Sequence, residues 1–296
     1  MKRILLFVLT NIAVMVTLSI AWSVLSNFLP ILRVTGWGVM MVFCLLWGMG
    51  GSFISLQISR WIAKRSMGVQ LLDGASGITE LDWVHETVTR LARQAGLPQP
   101  EIGYYESDEV NAFATGPSKS RSLVAVSTGI LRTMDKRELE GVLAHEVTHI
   151  ANGDMVTMAL LQGIVNAFVM FFARVIAFGI RQGMRDENGR ESALAGIVEF
   201  FVIIALQIVF GVLGSLVTTW FSRQREYRAD AGSADLSGRD KMIAAHRKLQ
   251  TYHEAVDTSD KAFASMKIAG SKSWMQMFST HPDLDDRIKA LEENRR

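Results

Sequence analysis

The sequence has a single cysteine and almost no net charge. Cys44 has no second cysteine to pair with inside the chain, so the fold does not depend on an oxidising compartment. The 31 lysines and arginines nearly balance the 29 aspartates and glutamates, and no basic patch interleaved with aromatic residues occurs. These two absences argue against a nucleic-acid partner. Internal repeats and low-complexity segments are also lacking.

Charge is missing altogether from two long stretches near the start of the chain. No charged residue lies between Arg3 and Arg33, or between Arg33 and Arg60, and both intervals are rich in Leu, Val, Ile, Phe and Met. A membrane span needs about 20 apolar residues, and each interval supplies that. Because the first run exceeds the apolar region of a typical signal peptide and a second run follows it, we expect an uncleaved anchor.

Two further apolar runs lie in the second half of the chain. Arg174 interrupts the run Met155–Ile180, and Glu199 interrupts the run Ala193–Trp220. Small residues on all four runs would let helices approach closely. Polar side chains are costly in lipid, so we expect those within the runs to face protein or water, namely Arg174, Glu199, Gln162, Asn166 and Gln207.

The apolar runs divide the chain into four segments. Residues 1–59 are expected to form a two-span anchor, and residues 154–222 a membrane hairpin of two apolar helices. Residues 60–153 and 223–296 are charged and periodic, and together they are long enough for one compact domain. Short strand patterns occur only in the former. The expected fold is therefore mainly α with a small β-sheet, combining multi-pass membrane helices with one water-facing domain.

One motif in this water-facing domain predicts a metal site. His145 and His149 are four residues apart, so on a helix they lie one above the other on the same face. Two neutral imidazoles at that spacing can reach one Zn²⁺, and Glu146 beside them can take a proton from water at the metal. Asp135 and Glu138 form a capping-box pattern just before the motif, which supports a helix there.

Two histidines leave a catalytic zinc site one protein ligand short. A third histidine in the turn or two after His149, as in metzincins, is lacking. Glu226 is the better candidate, because it lies on a helix leading out of the fourth apolar run, at the membrane face from which the third run departs. Asp230, one turn on, could accept the other ring N–H of a ligand histidine.

The alternative for the segment Arg223–Asp230 is an ordinary solvated, charged helix that leaves a membrane. The distant histidines also remain possible ligands at this point, namely His85, His246, His253 and His281. We expect His85, His246 and His253 to be solvated residues on helix faces.

The ordered set of motifs resembles that of the HtpX-type integral-membrane zinc metalloproteases. These are relatives of the prenyl-protein CAAX peptidase and of the mitochondrial Oma metalloprotease. The resemblance covers essentially the whole chain, and the segments that carry it are His145–Asp154, Arg225–Asp230, Asn111–Ala114 and Ser279–Pro282.

The resemblance implies a zincin-like metalloprotease domain with one zinc ion per chain. The implied ligands are His145, His149 and Glu226. Glu146 would be the general base, and Asp230 the carboxylate that orients a ligand histidine. His281 lies in a loop before a helix, where a capping or exposed role is the ordinary one; in the family it could instead approach the zinc and stabilise the oxyanion formed during hydrolysis.

The segment Asn111-Ala112-Phe113-Ala114 has two interpretations. An ordinary core strand is the commoner explanation for its apolar residues. The asparagine at its start and the turn at Gly116-Pro117 suit an edge strand instead. The resemblance favours the edge strand, which would hold an extended substrate peptide by main-chain hydrogen bonds.

The function implied by the resemblance is hydrolysis of misfolded or damaged membrane proteins in quality control and the stress response. The implied location is the bacterial cytoplasmic (inner) membrane, with the active site facing the cytosol and polypeptides and the lipid bilayer as partners. One alternative is a zinc-stabilised scaffold that presents clients to another protease. Glu146 disfavours it, because a structural site needs no base and normally closes with four protein ligands. The other is a single-substrate CAAX-type processing peptidase, for which four apolar runs are few.

Overall fold

The computed structural model describes residues 37–185, 194–259 and 281–293. The first predicted apolar run lies outside these residues, as does most of the segment Ser279–Pro282. The helices are α1 Trp37–Met67, α2 Thr79–Gln94, α3 Thr128–Thr133, α4 Lys136–Asn152, α5 Asp154–Gly183, α6 Ala195–Ser237, α7 Arg239–Ser259 and α8 Leu284–Glu292. The strands are β1 Gln70–Leu71, β2 Glu101–Tyr105, β3 Ala112–Ser118 and β4 Arg121–Ser127. The expected mainly helical fold with a small sheet is confirmed.

The chain divides into two compact units. Among the described residues, the apolar unit comprises residues 37–53, 160–185 and 194–217, and the mixed unit comprises residues 54–159, 218–259 and 281–293. The helices α1, α5 and α6 each include a stretch long and apolar enough to cross a membrane, with mean hydropathies of 1.9, 2.0 and 2.6. Three of the four expected membrane runs are therefore helices of spanning length and composition.

Small residues and polar pairs shape the apolar unit. A Cβ atom added at Gly48 would lie 2.7 Å from the backbone nitrogen of Ala167, so α1 and α5 approach closely there. Arg181 and Glu199 form an ion pair at 2.7 Å, and Gln162 donates a hydrogen bond to Asn166. These polar side chains have polar partners, and the expected residues Arg174 and Gln207 are buried, which suits groups that are costly in lipid.

The sheet belongs to the mixed unit and has the order β1-β2-β4-β3. Strands β2 and β4 are parallel, with Glu101 opposite Leu123, and β3 is antiparallel to β4, with Ala112 opposite Val126. Strand β3 therefore lies at an edge of the sheet, which favours the edge-strand interpretation. It begins at Ala112 rather than at Asn111, the first residue of the segment quoted from the sequence.

The core of the mixed unit lies between this sheet and the helices α2, α4, α7 and α8. Apolar side chains at helical spacing on α4 pack against alternate residues of the sheet, because one face of each element must leave water. The buried members include Val88, Ile102, Val124, Leu143, Met242 and Leu291. Gly141 lets α4 approach α7, since a Cβ there would lie 2.7 Å from the backbone oxygen of Lys241.

Candidate metal centre

Helix α4 carries the motif residues, and the sequence at both ends of the helix explains its position. The Asp135 side chain accepts from the backbone N–H of Glu138, whose carboxylate in turn accepts from the N–H of Asp135. The predicted capping box is confirmed. At the other end Gly153 has φ 71°, the left-handed conformation that ends many helices, and the chain turns directly into α5.

His145, His149 and Glu226 come together in the mixed unit. The two Nε2 atoms of the histidines lie 3.0 Å apart. Glu226 places Oε2 at 3.5 Å from Nε2 of His145, and Oε1 at 3.5 Å from Nε2 of His149. All three side chains are buried, and their ligand atoms lie within 4.8 Å of one another. This group is able to hold a metal ion.

The geometry of the three groups fits a tetrahedral cation. Two ligand atoms about 2.1 Å from such an ion lie about 3.4 Å from each other, close to the observed separations. Oε1 of Glu226 is buried and accepts no hydrogen bond within the described part of the chain, although Nη2 of Arg225 and Nε2 of His149 each lie 3.5 Å from it. A buried oxygen of this kind needs a partner, and a cation would supply one.

A carboxylate lies behind each histidine ring. Nδ1 of His145 is 2.9 Å from Oδ1 of Asp230, the position expected from the sequence. Nδ1 of His149 is 2.6 Å from Oδ2 of Asp154, the first residue of α5. Such contacts fix the tautomer in which Nε2 presents its lone pair to a metal.

Side chains that carry nitrogen donors surround the Glu226 carboxylate. Nδ1 of His281 lies 2.8 Å from Oε2, and Nη1 of Arg287 lies 3.4 Å from the same oxygen. Arg287 is buried in α8, whereas the His281 side chain is 62% exposed. The structure thus places His281 beside the candidate ligand, with an open side toward solvent.

Asp230 is bound by more than His145. Arg287 donates two hydrogen bonds to it, from Nε to Oδ2 at 2.7 Å and from Nη2 to Oδ1 at 2.6 Å. Nε2 of His246 lies 3.1 Å from Oδ1. The expectation that His246 is a solvated helix-face residue is wrong, because its side chain is 1% exposed and packs into the core beside Asp230.

The carboxylates raise the basicity of His145. Burial alone would lower the pKa of its ring, but the neighbouring carboxylates of Asp230 and Glu226 outweigh that effect and raise the pKa to about 9. His145 therefore carries a proton at neutral pH unless a metal ion replaces it, since a metal binds the neutral imidazole.

Sequence reasoning missed Asp154 and Arg287, although both left a signal. Asp154 follows the helix-ending Gly153 directly, so its side chain stays beside the last turn of α4. Arg287 falls at the helical spacing of the apolar residues Leu284 and Leu291, on the face of α8 that packs inward. A charged residue on the buried face of a helix needs a buried counter-ion, and here Asp230 and Glu226 together provide it.

The other residues singled out in the sequence do not belong to the group of three candidate ligands. Glu146 is half-buried on α4 next to His145. His85 is half-buried against Gly74, where its ring would meet any added Cβ, and the side chain of His253 lies outside the described residues. The ring of Phe113 contacts Tyr105 with centroids 5.8 Å apart.

Comparison with known proteins places the chain in a family. Residues 79–295 match peptidase family M48. The chain is 48% identical to Protease HtpX of Idiomarina loihiensis over the whole of both chains, and 51% identical to a Protease HtpX homolog of Bacillus licheniformis, over 98% of this chain and 99% of that relative. The crystal structure of Ste24p from S. mikatae superposes with a TM-score of 0.63 at 18% identity, covering 96% of this chain and 66% of that one. The fold and the HtpX-type resemblance are thereby confirmed, and the chain belongs to peptidase family M48.

Proposed function

We propose that the protein is a zinc-dependent endopeptidase of the bacterial cytoplasmic membrane that cuts misfolded or damaged membrane proteins. The observation that carries the proposal is the convergence of His145, His149 and Glu226, with 3.0 to 3.5 Å between ligand atoms. One zinc ion per chain would be held by these three side chains, which leaves the fourth position of a tetrahedral site for water and substrate.

Each residue of the centre then has a chemical task. Zinc, when bound, polarises the scissile carbonyl and makes water more acidic. Glu146 takes the proton from the attacking water and passes it to the leaving amine. Asp154 and Asp230 hold the two imidazole rings. His281, which lies largely exposed beside Glu226, would donate a hydrogen bond to the developing oxyanion.

The substrate is proposed to bind to β3 as an added strand. In the order of the described strands β3 has a partner, β4, on one side alone. Its residues Ala112, Phe113 and Ala114 are half-buried, and α4 packs against the strand. An extended peptide can use the free main-chain groups of such an edge, and that mode of binding suits unfolded segments of many sequences.

The test of the activity is cleavage of an unstructured protein such as casein by the full chain in detergent. We expect cleavage to stop with a chelator and to return when zinc is added. Glu146→Gln should retain zinc, because the three ligands are untouched, but should lose about a hundredfold to ten-thousandfold in turnover. Measuring bound metal and turnover on the same sample separates loss of the base from loss of the ion.

Two outcomes would overturn the proposal. Zinc binding without cleavage of any polypeptide would favour the scaffold, and cleavage restricted to a prenylated C-terminal peptide would favour a single-substrate processing enzyme. Near-normal turnover by Glu146→Gln would contradict the mechanism. For the quality-control role, Glu146→Gln isolated from bacterial membranes should hold uncut membrane proteins that the unaltered chain does not retain.

The active site is proposed to face the cytosol. The positive-inside tendency supports this, since Lys2, Arg3, Arg60, Lys64 and Arg65 flank the first two apolar runs. Ser120, exposed between β3 and β4 in the mixed unit, offers a labelling position. In a Cys44→Ser background, Ser120→Cys should react with a membrane-impermeant thiol reagent only after the inner membrane is opened. Labelling in intact spheroplasts would contradict this orientation.

A further inference from the structure

His246 occupies a position where the pattern of α7 calls for an apolar residue. Met242, Ala245 and Leu249 accompany it at helical spacing on the face that packs into the core. The His246 side chain is 1% exposed. Burying an imidazole is costly unless its nitrogens find partners, whereas a leucine would fill the same place without that cost. The contacts of the ring therefore decide what the histidine does there.

The ring of His246 turns Nε2 toward Asp230. The distance from Nε2 to Oδ1 is 3.1 Å, and within the described chain Nδ1 has no hydrogen-bond partner. Burial lowers the pKa of His246, and the charge of Asp230 offsets this only in part, so the ring is neutral at pH 7 and carries one proton. Asp230 favours that proton on Nε2, since a lone pair there would face a carboxylate oxygen.

Three donor nitrogens lie within 3.1 Å of Oδ1 of Asp230, although an oxygen of this kind has two lone pairs. Nη2 of Arg287 lies at 2.6 Å, Nδ1 of His145 at 2.9 Å and Nε2 of His246 at 3.1 Å. The arginine bond is well aligned. Among described residues, neither histidine nitrogen has an aligned hydrogen bond, although both are within reach of Oδ1. The N–H groups of the two imidazoles therefore compete for the one lone pair of Oδ1 that Arg287 does not use.

We propose that His246 is a positioning residue of the metal centre that competes with His145 for Oδ1 of Asp230. A hydrogen bond to an outer carboxylate makes a ligand histidine more basic, so sharing that carboxylate makes His145 a weaker donor to the metal. His246 thus holds the affinity of the centre for zinc below the value that His145 and Asp230 alone would give. This inference rests on the proposed function, in which His145 is a zinc ligand.

The test uses two substitutions that differ in their ability to donate. His246→Leu removes the N–H and fills the core position. His246→Gln keeps an N–H close to the position of Nε2. Zinc affinity is measured on the full chain in detergent, by competition with a chromogenic chelator. We expect His246→Leu to bind zinc about threefold to tenfold more tightly, less than the change that loss of a whole outer partner produces, and His246→Gln to stay within about twofold.

The absorption spectrum of the cobalt-loaded protein provides a second readout that packing alone would not move. Its d–d bands report the donor strength of the ligands, so they should shift in His246→Leu and return toward the original position in His246→Gln. Met242→Leu is the matched control, because it repacks the same buried face of α7 while leaving the three donors to Asp230 in place. It should change neither zinc affinity nor the spectrum.

Several outcomes would overturn the inference. Unchanged or weaker zinc binding by His246→Leu would show that His246 does not compete with His145, and an equal gain in His246→Gln would show that the N–H is not responsible. If His246→Leu does not fold, His246→Met removes the same donor and carries the same expectation. If the unaltered chain takes up no zinc, the proposed function fails along with the inference. Zinc uptake that is insensitive to His246 removes the inference alone.

Discussion

The two histidines of the candidate centre are held in different ways. His149 meets Asp154, which follows it in the same stretch of chain, and among the described residues this carboxylate has no further ion pair. His145 meets Asp230, which lies on α6 and is also contacted by Arg287 on α8 and by His246 on α7. One ring is oriented by a local turn, and the other by three helices that folding has to bring together.

Because of this difference, the orientation of His149 and the orientation of His145 depend on different parts of the chain. The side of His149 needs only the end of α4 and the glycine that turns the chain into α5. The side of His145 requires a network of buried charges in which Arg287 faces two carboxylates, Asp230 and Glu226. Buried charges are stable only when paired, so damage to one member should spread to the others.

The strongest test of the network is loss of Glu226. Glu226→Ala should lower zinc affinity by more than a hundredfold, because it removes one of the three proposed ligands. Asp230→Ala should cost about tenfold to a hundredfold, because it only loosens a ring. The measurement is zinc retained after dialysis of the purified protein. Unchanged zinc in Glu226→Ala would mean that another residue is the ligand, and His281 would be examined first.

The next largest effect is expected from loss of the guanidinium that Asp230 and Glu226 share, and it should appear in the stability of the fold. Arg287→Met leaves Asp230 and Glu226 buried without their arginine, and breaking such a pair typically costs about 3–5 kcal/mol. The readout is the thermal unfolding midpoint of the mixed unit, followed by its protease susceptibility in detergent.

Arg247→Met is the matched control for this change. Arg247 pairs with Glu292 at 3.0 Å, but both side chains are at least half exposed, so the cost should be within about 1 kcal/mol. Equal destabilisation by the two substitutions would show that the buried network does not stabilise the fold.

The contrast between the two outer carboxylates can be measured directly. Asp154→Asn and Asp230→Asn should each lower zinc affinity by about tenfold to a hundredfold, because an amide holds a histidine tautomer less well than a carboxylate. Only Asp230→Asn should also lower the thermal stability of the metal-free protein, since Arg287 then loses its bidentate partner. If Asp154→Asn and Asp230→Asn lower thermal stability equally, His149 and His145 are not held in different ways.

The last effect concerns the proton on His145. Its pKa is raised from 6.5 to about 9, so the folded metal-free protein holds a proton that the unfolded chain releases. The resulting stabilisation is complete below pH 6.5 and is lost as the pH rises through about 9. Unfolding midpoints of the metal-free protein at about pH 6 and about pH 10 should show this loss, relative to a His145→Asn control. An identical pH dependence in the two proteins would contradict it.

Local signals made much of the centre predictable. The capping box at Asp135 and Glu138 placed the motif helix, and the spacing of His145 and His149 placed two ligand atoms on one face. The apolar runs identified α1, α5 and α6 as helices of spanning length. Each of these signals lies within one element, where helical periodicity and capping chemistry operate.

The remaining features depend on contacts between elements, which a single sequence does not specify. Nothing in the neighbourhood of Arg287 names Asp230 as its partner, and the pattern of α7 does not reveal that His246 points at the same carboxylate. The wrong expectation for His246 arose because histidine is usually exposed, whereas its phase on the helix is that of Met242 and Ala245. A polar residue at a helix position whose spacing predicts an apolar side chain is thus the signal that would have identified both Arg287 and His246 as buried.

The position of Arg287 after the apolar helices along the chain has a consequence for synthesis. The ribosome produces the motif helix and the apolar helices α5 and α6 well before it reaches α8, Leu284–Glu292. Until α8 has emerged and docked, Asp230 and Glu226 lack their arginine, and the centre is incomplete. A nascent chain whose apolar helices have already been made therefore still lacks the arginine that these two buried carboxylates share, so the buried charge network can form only late in synthesis.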